Sequence, residues 1–281
     1  MGFKLRIYNF VGIYSLISLI GLVCVIYSVL RVISKKNQLP IYCIMITGKD
    51  VCRKEFAKLS ITNFQNQVYP NKFLIIINHG DKLIDHPIQF CKEIIVKKDV
   101  HKLCLGEMRN IALELVPFNA TWFPWDDDDF RHPLLLRYLM DQMISQSAGC
   151  VCMTTRLEYN KATRFAWKMT IKSGMVLVLA KKDRRFQYIR KESMEDLDLI
   201  DRYKELGHKV VTVPNNPAWY LRLVHNNNTS MYVNENKQYV LEKTAHEKVA
   251  SNYVEENCSD IETSYVDNIL LSYYKNVLAL C

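Results

Sequence analysis

Four consecutive aspartates, Asp126 to Asp129, are the strongest chemical signal in this sequence of 281 residues. Carboxylates crowded together repel and raise one another's pKa unless a cation neutralises them. Hard oxygen ligands at this spacing suit Mg2+ or Mn2+, held jointly with the phosphates of a substrate. Most acidic runs are solvated turns. This one is framed by Trp122, Phe123, Trp125 and Phe130, so the aspartates emerge from an apolar wall. If the strand expected over Ala120–Trp125 ran on through them, Asp126 and Asp128 would share a side, roughly 6–7 Å apart. A second acidic pair, Glu195-Asp196, opens a stretch carrying Leu199, Ile200, Tyr203 and Leu206, with Gly207 as a stop. Acidic residues are ordinary in a first helical turn, where they complement the helix dipole. A fixed carboxylate there could equally serve as a general base toward a hydroxyl. The nine cysteines form no CxxC pair and have no histidine at zinc spacing, which argues against a structural zinc site.

The elements that must position these residues alternate between strand and helix. Ile41–Thr47 and Lys72–Asn78 are short apolar runs that suit buried strands, and Glu93–Val96 is a weaker third. Arg53–Asn66 and Gly106–Val116 carry apolar residues at helical spacing. Ala120–Trp125 is the strand that leads into the aspartates, and Pro133 suits the first position of the helix that follows. Such alternation implies a mostly parallel α/β sheet with helices on both faces, whose ligands sit at the carboxyl ends of the strands.

Composition bounds the rest. With 49% hydrophobic and 23% charged residues, the chain can bury a real core, which excludes a disordered tail or a disulfide miniprotein. A net charge of +8, partly from Lys4, Arg6 and Arg31 around an apolar N-terminal segment, is too small and too spread for a nucleic-acid partner. Phe10 to Leu30 is an uncharged run that spans about 30 Å as a helix, the hydrocarbon thickness of a bilayer. Arg31, Lys35 and Lys36 follow it where a signal peptide would show a small-residue cleavage site. The expectation is a single-pass membrane anchor whose flanking charges, balanced on both sides, give no orientation. The expected division is residues 1–38 as anchor and linker, 39–230 as catalytic domain, and 231–281 as a helical extension packed on it.

From Gly106 to Pro133 the sequence reads GEMRNIALELVPFNATWFPWDDDDFRHP, which resembles the core of the family-2 inverting glycosyltransferases of GT-A fold. The family shows an Arg-Asn at a helix start, a strand, an aspartate-rich metal motif of DXD type and a nearby Pro. ITGKD at Ile46–Asp50 and FQNQVYPNKFLIIINHG are similar to its opening strand, Gln-x-Tyr-Pro turn and second strand. MEDLDLIDRYKELGH resembles its Glu-Asp motif, and YLRLVHNNNTS, from Tyr220 to Ser230, its closing segment. Where the family usually has an aspartate after the second strand, this chain has Asn78-His79-Gly80.

The resemblance implies a Rossmann-like GT-A domain that moves a sugar from a nucleotide-sugar, UDP-sugar first, to a hydroxyl of a glycan, protein or lipid. It places Asp126, Asp128 and His225 on a divalent metal, Mn2+ or Mg2+, with Asp128 the more direct ligand. Thr47, Asn78, Arg109, Asp126, Asp127 and Arg222 fall on the donor side; Ser173, Gly174 and Asp129 fall on the acceptor side. Asp196 is the implied base, with Glu195 beside it and Asp198 and Asp201 behind it. A sugar-1-phosphate nucleotidyltransferase is the competing enzyme reading, but Thr47-Gly48-Lys49 lacks the glycines of its phosphate loop. An anchored carbohydrate- or metal-binding protein is the non-enzyme reading, and it leaves Asp196, Arg222 and His225 without a role.

Overall fold

The computed structural model describes residues 38–48, 51–96, 103–160, 165–170, 177–191, 196, 198–213, 219–225, 232–233 and 239–240. The apolar run Phe10–Leu30, Ser173, Gly174, Glu195 and the C-terminal extension beyond residue 240 lie outside them. Among the described residues no helix is long and apolar enough to cross a membrane.

Strands β1 (Ile41–Thr47) and β2 (Lys72–Asn78) form where the sequence places them, with helix α1 (Val51–Gln65) between. Strand β3 (Cys91–Ile95), helix α2 (Leu105–Glu114), strand β4 (Thr121–Pro124), the two-residue strand β5 (Phe130–Arg131) and helix α3 (Leu135–Ser145) follow. Next come strands β6 (Cys150–Met153), β7 (Thr155–Asn160), β8 (Phe165–Thr170) and β9 (Leu177–Lys181). Helix α4 (Leu199–Glu205), β10 (Val210–Thr212) and β11 (Tyr220–Val224) complete the part that carries the site. A small pair, β12 (Tyr232–Val233) and β13 (Tyr239–Val240), follows.

Seven strands form the main sheet in the order β10-β6-β9-β4-β1-β2-β3. All neighbours are parallel except β9, which runs antiparallel between β6 and β4. Alternation along β1 and β2 decides which layer each residue feeds. Ile41, Cys43, Met45, Leu74 and Ile76 pack with Ala57, Ile61 and Phe64 of α1 and Leu136, Leu139 and Met143 of α3. Ile44, Ile75 and Ile77 pack on the other face with Met108 and Ala112 of α2 and Leu199 and Tyr203 of α4. The expected mostly parallel sheet with helices on both faces is therefore the architecture found. Cys43, Cys150 and Cys152 are buried free thiols within it.

A second sheet, in the order β5-β11-β7-β8, stands beside the first. The chain passes from one sheet to the other through the aspartates. β4 ends at Pro124, just past which the Trp125 amide still donates to the Ile44 carbonyl at 2.7 Å. Asp126 to Asp129 are a bend, not the strand continuation expected, and β5 then enters the small sheet. Pro133 is not the first residue of a helix either. Its carbonyl accepts the Val68 amide at 2.9 Å, and α3 starts at Leu135 after a turn closed from Leu135 N–H to the His132 carbonyl. Helix α4 likewise starts at Leu199, so Asp196 lies in the preceding turn and its carbonyl accepts the Leu199 amide at 3.1 Å. At its other end, Gly207 has φ +85°, and the amides of Gly207 and His208 close on Lys204 and Tyr203, which is the Schellman stop that the sequence indicated.

Candidate active site

The bend of Asp126 to Asp129 is cradled by α1, whose polar residues fall on one helical stripe. Ser60 Oγ donates to the Asp126 carbonyl at 3.0 Å and accepts the Trp125 indole N–H at 2.8 Å. Asn63 accepts the Arg131 amide through Oδ1 at 3.0 Å and donates to the Arg131 carbonyl through Nδ2 at 2.8 Å. Gln67 donates to the His132 carbonyl at 3.0 Å. Arg131 threads the bend from inside, its Nη1 donating to the carbonyls of Asp126 and Asp129 at 3.2 and 3.3 Å. Its fully buried guanidinium lies 4.5 Å from the Trp125 ring centre and 5.4 Å from that of Tyr220. These contacts hold the backbone of the bend, so the side chains are left to face one another.

Each aspartate has a different partner. Asp126, the most exposed, meets Arg109 Nη2 at 3.2 Å. Asp127 and Asp128 are buried. Arg53, near the start of α1, approaches both, at 2.6 Å to Asp127 and 3.9 Å to Asp128. Thr47, the last residue of β1, lies beside the Asp127 carboxyl, whose Oδ2 is buried without a hydrogen bond. His225, just past β11, places Nε2 3.1 Å from Asp128 Oδ2, with its ring packed 4.8 Å from that of Phe56. Asp129 turns toward the small sheet, where it accepts the Tyr220 hydroxyl and, at 3.2 Å, the Leu223 amide.

These surroundings separate the carboxyls in acidity. Burial, reinforced by the Asp128 charge, pushes Asp127 up to about 7 against the pull of Arg53. Burial and the same neighbour push Asp129 up to about 7. Burial acts on Asp128 in the same direction, but the His225 hydrogen bond and the Arg53 charge outweigh it and hold the group below the usual carboxylate range. Asp128 is therefore the carboxyl of the bend that an imidazole and a guanidinium keep ionised.

Arg109 and Arg222 are held from behind. Asn110 clamps the Tyr188 backbone with two hydrogen bonds, of 2.9 and 2.7 Å, and the Tyr188 ring carries the Arg109 guanidinium at 5.4 Å. On the small sheet Arg222 lies opposite Glu158 in register, 3.5 Å from its carboxylate, which also pairs with Arg156. Burial would raise Glu158, but the two arginines outweigh it and its pKa is lowered.

The structure thus brings Thr47, Arg109, Asp126, Asp127, Asp128, Asp129, Arg222 and His225 to the carboxyl ends of β1 and β4. Asn78 is used differently. Its amide nitrogen donates to the Asp81 carbonyl and to Glu93 Oε1, both at 2.7 Å, and its oxygen accepts the Gly80 amide. Glu93 also accepts the amides of Leu83 and Ile84. An aspartate at position 78 would set two carboxylates against each other, which accounts physically for asparagine there. Among the described residues, Asp196 is placed by its turn to Leu199. Among the described residues no three acidic, imidazole or thiol groups already converge as a metal cage. Sequence reasoning missed Arg53, Arg131, Tyr220, Glu158 and Arg156. The spacing of Arg53, Ser60 and Asn63 on one face of α1 was the signal available for the first of them.

No protein-family model and no curated protein matches the chain. Solved structures do. The chain resembles Staphylococcus aureus TarS 1-349 in complex with UDP-GlcNAc at a TM-score of 0.51 and 12% identity, over 86% of this chain and 76% of that one. The complex of the same fragment with UDP gives 0.50 at 13% identity, over 66% and 61%. Against the crystal structure of TarS the score is 0.50 at 12% identity, over 66% of this chain and 37% of that one. The chain therefore spans less than two thirds of the length of these last two. At such identity the likeness concerns architecture: the protein has the GT-A fold.

Proposed function

We propose that this chain is a glycosyltransferase that moves a sugar from a nucleoside diphosphate sugar, UDP-sugar first, to an acceptor hydroxyl with inversion. The observation that carries the reading is the contact of ionised Asp128 with His225 inside a ring of arginines, at the strand ends of a GT-A sheet. The likeness to a protein crystallised with UDP-GlcNAc supports the donor class.

A divalent ion, Mn2+ or Mg2+, fits this donor set. A carboxylate and an imidazole already meet, Asp127 keeps a buried oxygen without a hydrogen bond, and such ions complete their shells with water and phosphate oxygens. Asp128 and His225 would hold it, with Asp126 and Asp127 adjacent. Bound there, the ion neutralises charge that grows on the departing diphosphate. Arg109 and Arg222 present guanidinium groups that can pair with phosphate oxygens. Asp129, tied to Tyr220, faces the acceptor side. Asp196 takes the proton of the attacking hydroxyl, with Glu195, Ser173 and Gly174 completing the acceptor side. Phe10–Leu30 anchors the chain in a membrane as a single pass. Asp128→Asn removes the ionised ligand and should abolish transfer of sugar from the donor in a metal-buffered assay. Normal turnover by that variant would overturn the assignment.

A further inference from the structure

Among the described residues the carboxyl groups of Asp126 to Asp129 and Glu158 face Arg53, Arg109, Arg131, Arg156 and Arg222 across this site. A divalent ion would add positive charge to this cluster and a diphosphate negative charge. The arginine that meets two carboxyls of the bend at once is Arg53. Its side chain keeps 19% exposure, against 2% for Asp127 and 9% for Asp128, so it is the more accessible member of each pair. Arg131, by contrast, is fully buried among aromatic rings. Arg53 Nη1 donates to Asp127 Oδ1 at 2.6 Å.

We infer that Arg53 is a displaceable counter-ion. It neutralises Asp127 and Asp128 in the metal-free protein, competes with a divalent cation for them, and turns to phosphate oxygens when cation and nucleotide arrive together. Arg53 is in this sense a positioning residue that couples the two ligands, and the inference rests on the metal–diphosphate reading of the acidic bend. The coupling follows from charge. Metal alone must work against a guanidinium a few ångström away, whereas metal with a diphosphate gives that guanidinium a new anion to face.

The test is Mn2+ uptake by the full-length protein, read from the electron paramagnetic resonance of free Mn2+, with and without UDP. Wild type should bind Mn2+ weakly alone and much more tightly with UDP. Arg53→Met should bind Mn2+ alone about tenfold more tightly than wild type, since a competing unit charge is gone, and should gain less from UDP. Arg53→Lys, which keeps the charge, should stay near wild type. If Arg53→Met does not fold by circular dichroism, Arg53→Gln carries the same expectation without the charge. A neutral variant that binds Mn2+ no more tightly than wild type, while UDP still enhances uptake, would overturn the inference and leave the metal–diphosphate site standing. Wild type that takes up no Mn2+ even with UDP would overturn that site and the inference together.

Discussion

Asp128 and Asp196 are both acidic, yet the proposed function gives them separable tasks. Asp128 is buried against His225 and Arg53 and is held ionised, which suits a ligand. Asp196 lies in the turn before α4, away from the acidic bend in sequence, and is assigned to the acceptor's proton. A base acts on the hydroxyl, not on the nucleotide. Asp196→Asn should therefore leave donor affinity and metal dependence nearly intact and lower kcat by about 10²–10⁴-fold, the usual range for loss of a general base. Donor titration beside single-turnover transfer checks this. A near-normal rate would move the base to Glu195, Asp198 or Asp201.

Asn63 of helix α1 and the segment after β9 act as supports rather than as ligands. Asn63 is completely buried and pairs with both backbone groups of Arg131, the residue that closes the acidic bend. Asn63→Ala leaves the buried Arg131 amide without its acceptor and should destabilise the fold by about 1–3 kcal/mol. Chemical denaturation measures that cost, and the displaced bend should also weaken Mn2+-dependent nucleotide binding. After β9, Asp183 accepts Arg185 at 2.8 Å and meets His208 Nε2 at 2.8 Å, pinning this segment to the end of α4. The Arg185 hydrogen bonds hold Asp183 well below the usual carboxylate range. A lowered folded pKa stabilises the fold above the unfolded value, near pH 4, and that contribution disappears as pH falls through the folded value. Asp183→Asn should therefore be less stable than wild type at neutral pH, with the difference shrinking below about pH 4 in melts taken across the acid range. A difference that stays constant with pH would place the effect in packing.

Across the whole molecule, the sheet and its two helical layers were legible because they depend on local periodicity. β1 and β2 start and stop at the residues where apolar runs give way to polar ones, and Gly207 stops α4 because it can adopt a positive φ. The start of α3 shifted with a contact distant in sequence, Val68 capturing the Pro133 carbonyl, whereas α4 starts late through the local turn from Asp196 to Leu199. The acidic bend, Arg109, Arg222 and His225 were legible through motif order. Arg53 and Asn63 were not, because their partners lie 74 and 68 residues away and their shared face on α1 is the one local hint. Asn78 shows the reverse case, where a motif position is taken over by Glu93 for the inner structure of a loop. The central claim is that the acidic bend binds metal and diphosphate jointly. Calorimetric titration of UDP into the full-length protein, with Mn2+ and again with excess EDTA, tests it most directly. Saturable binding with Mn2+ that vanishes in EDTA is the predicted result. Equal binding in both conditions, or none in either, would contradict it.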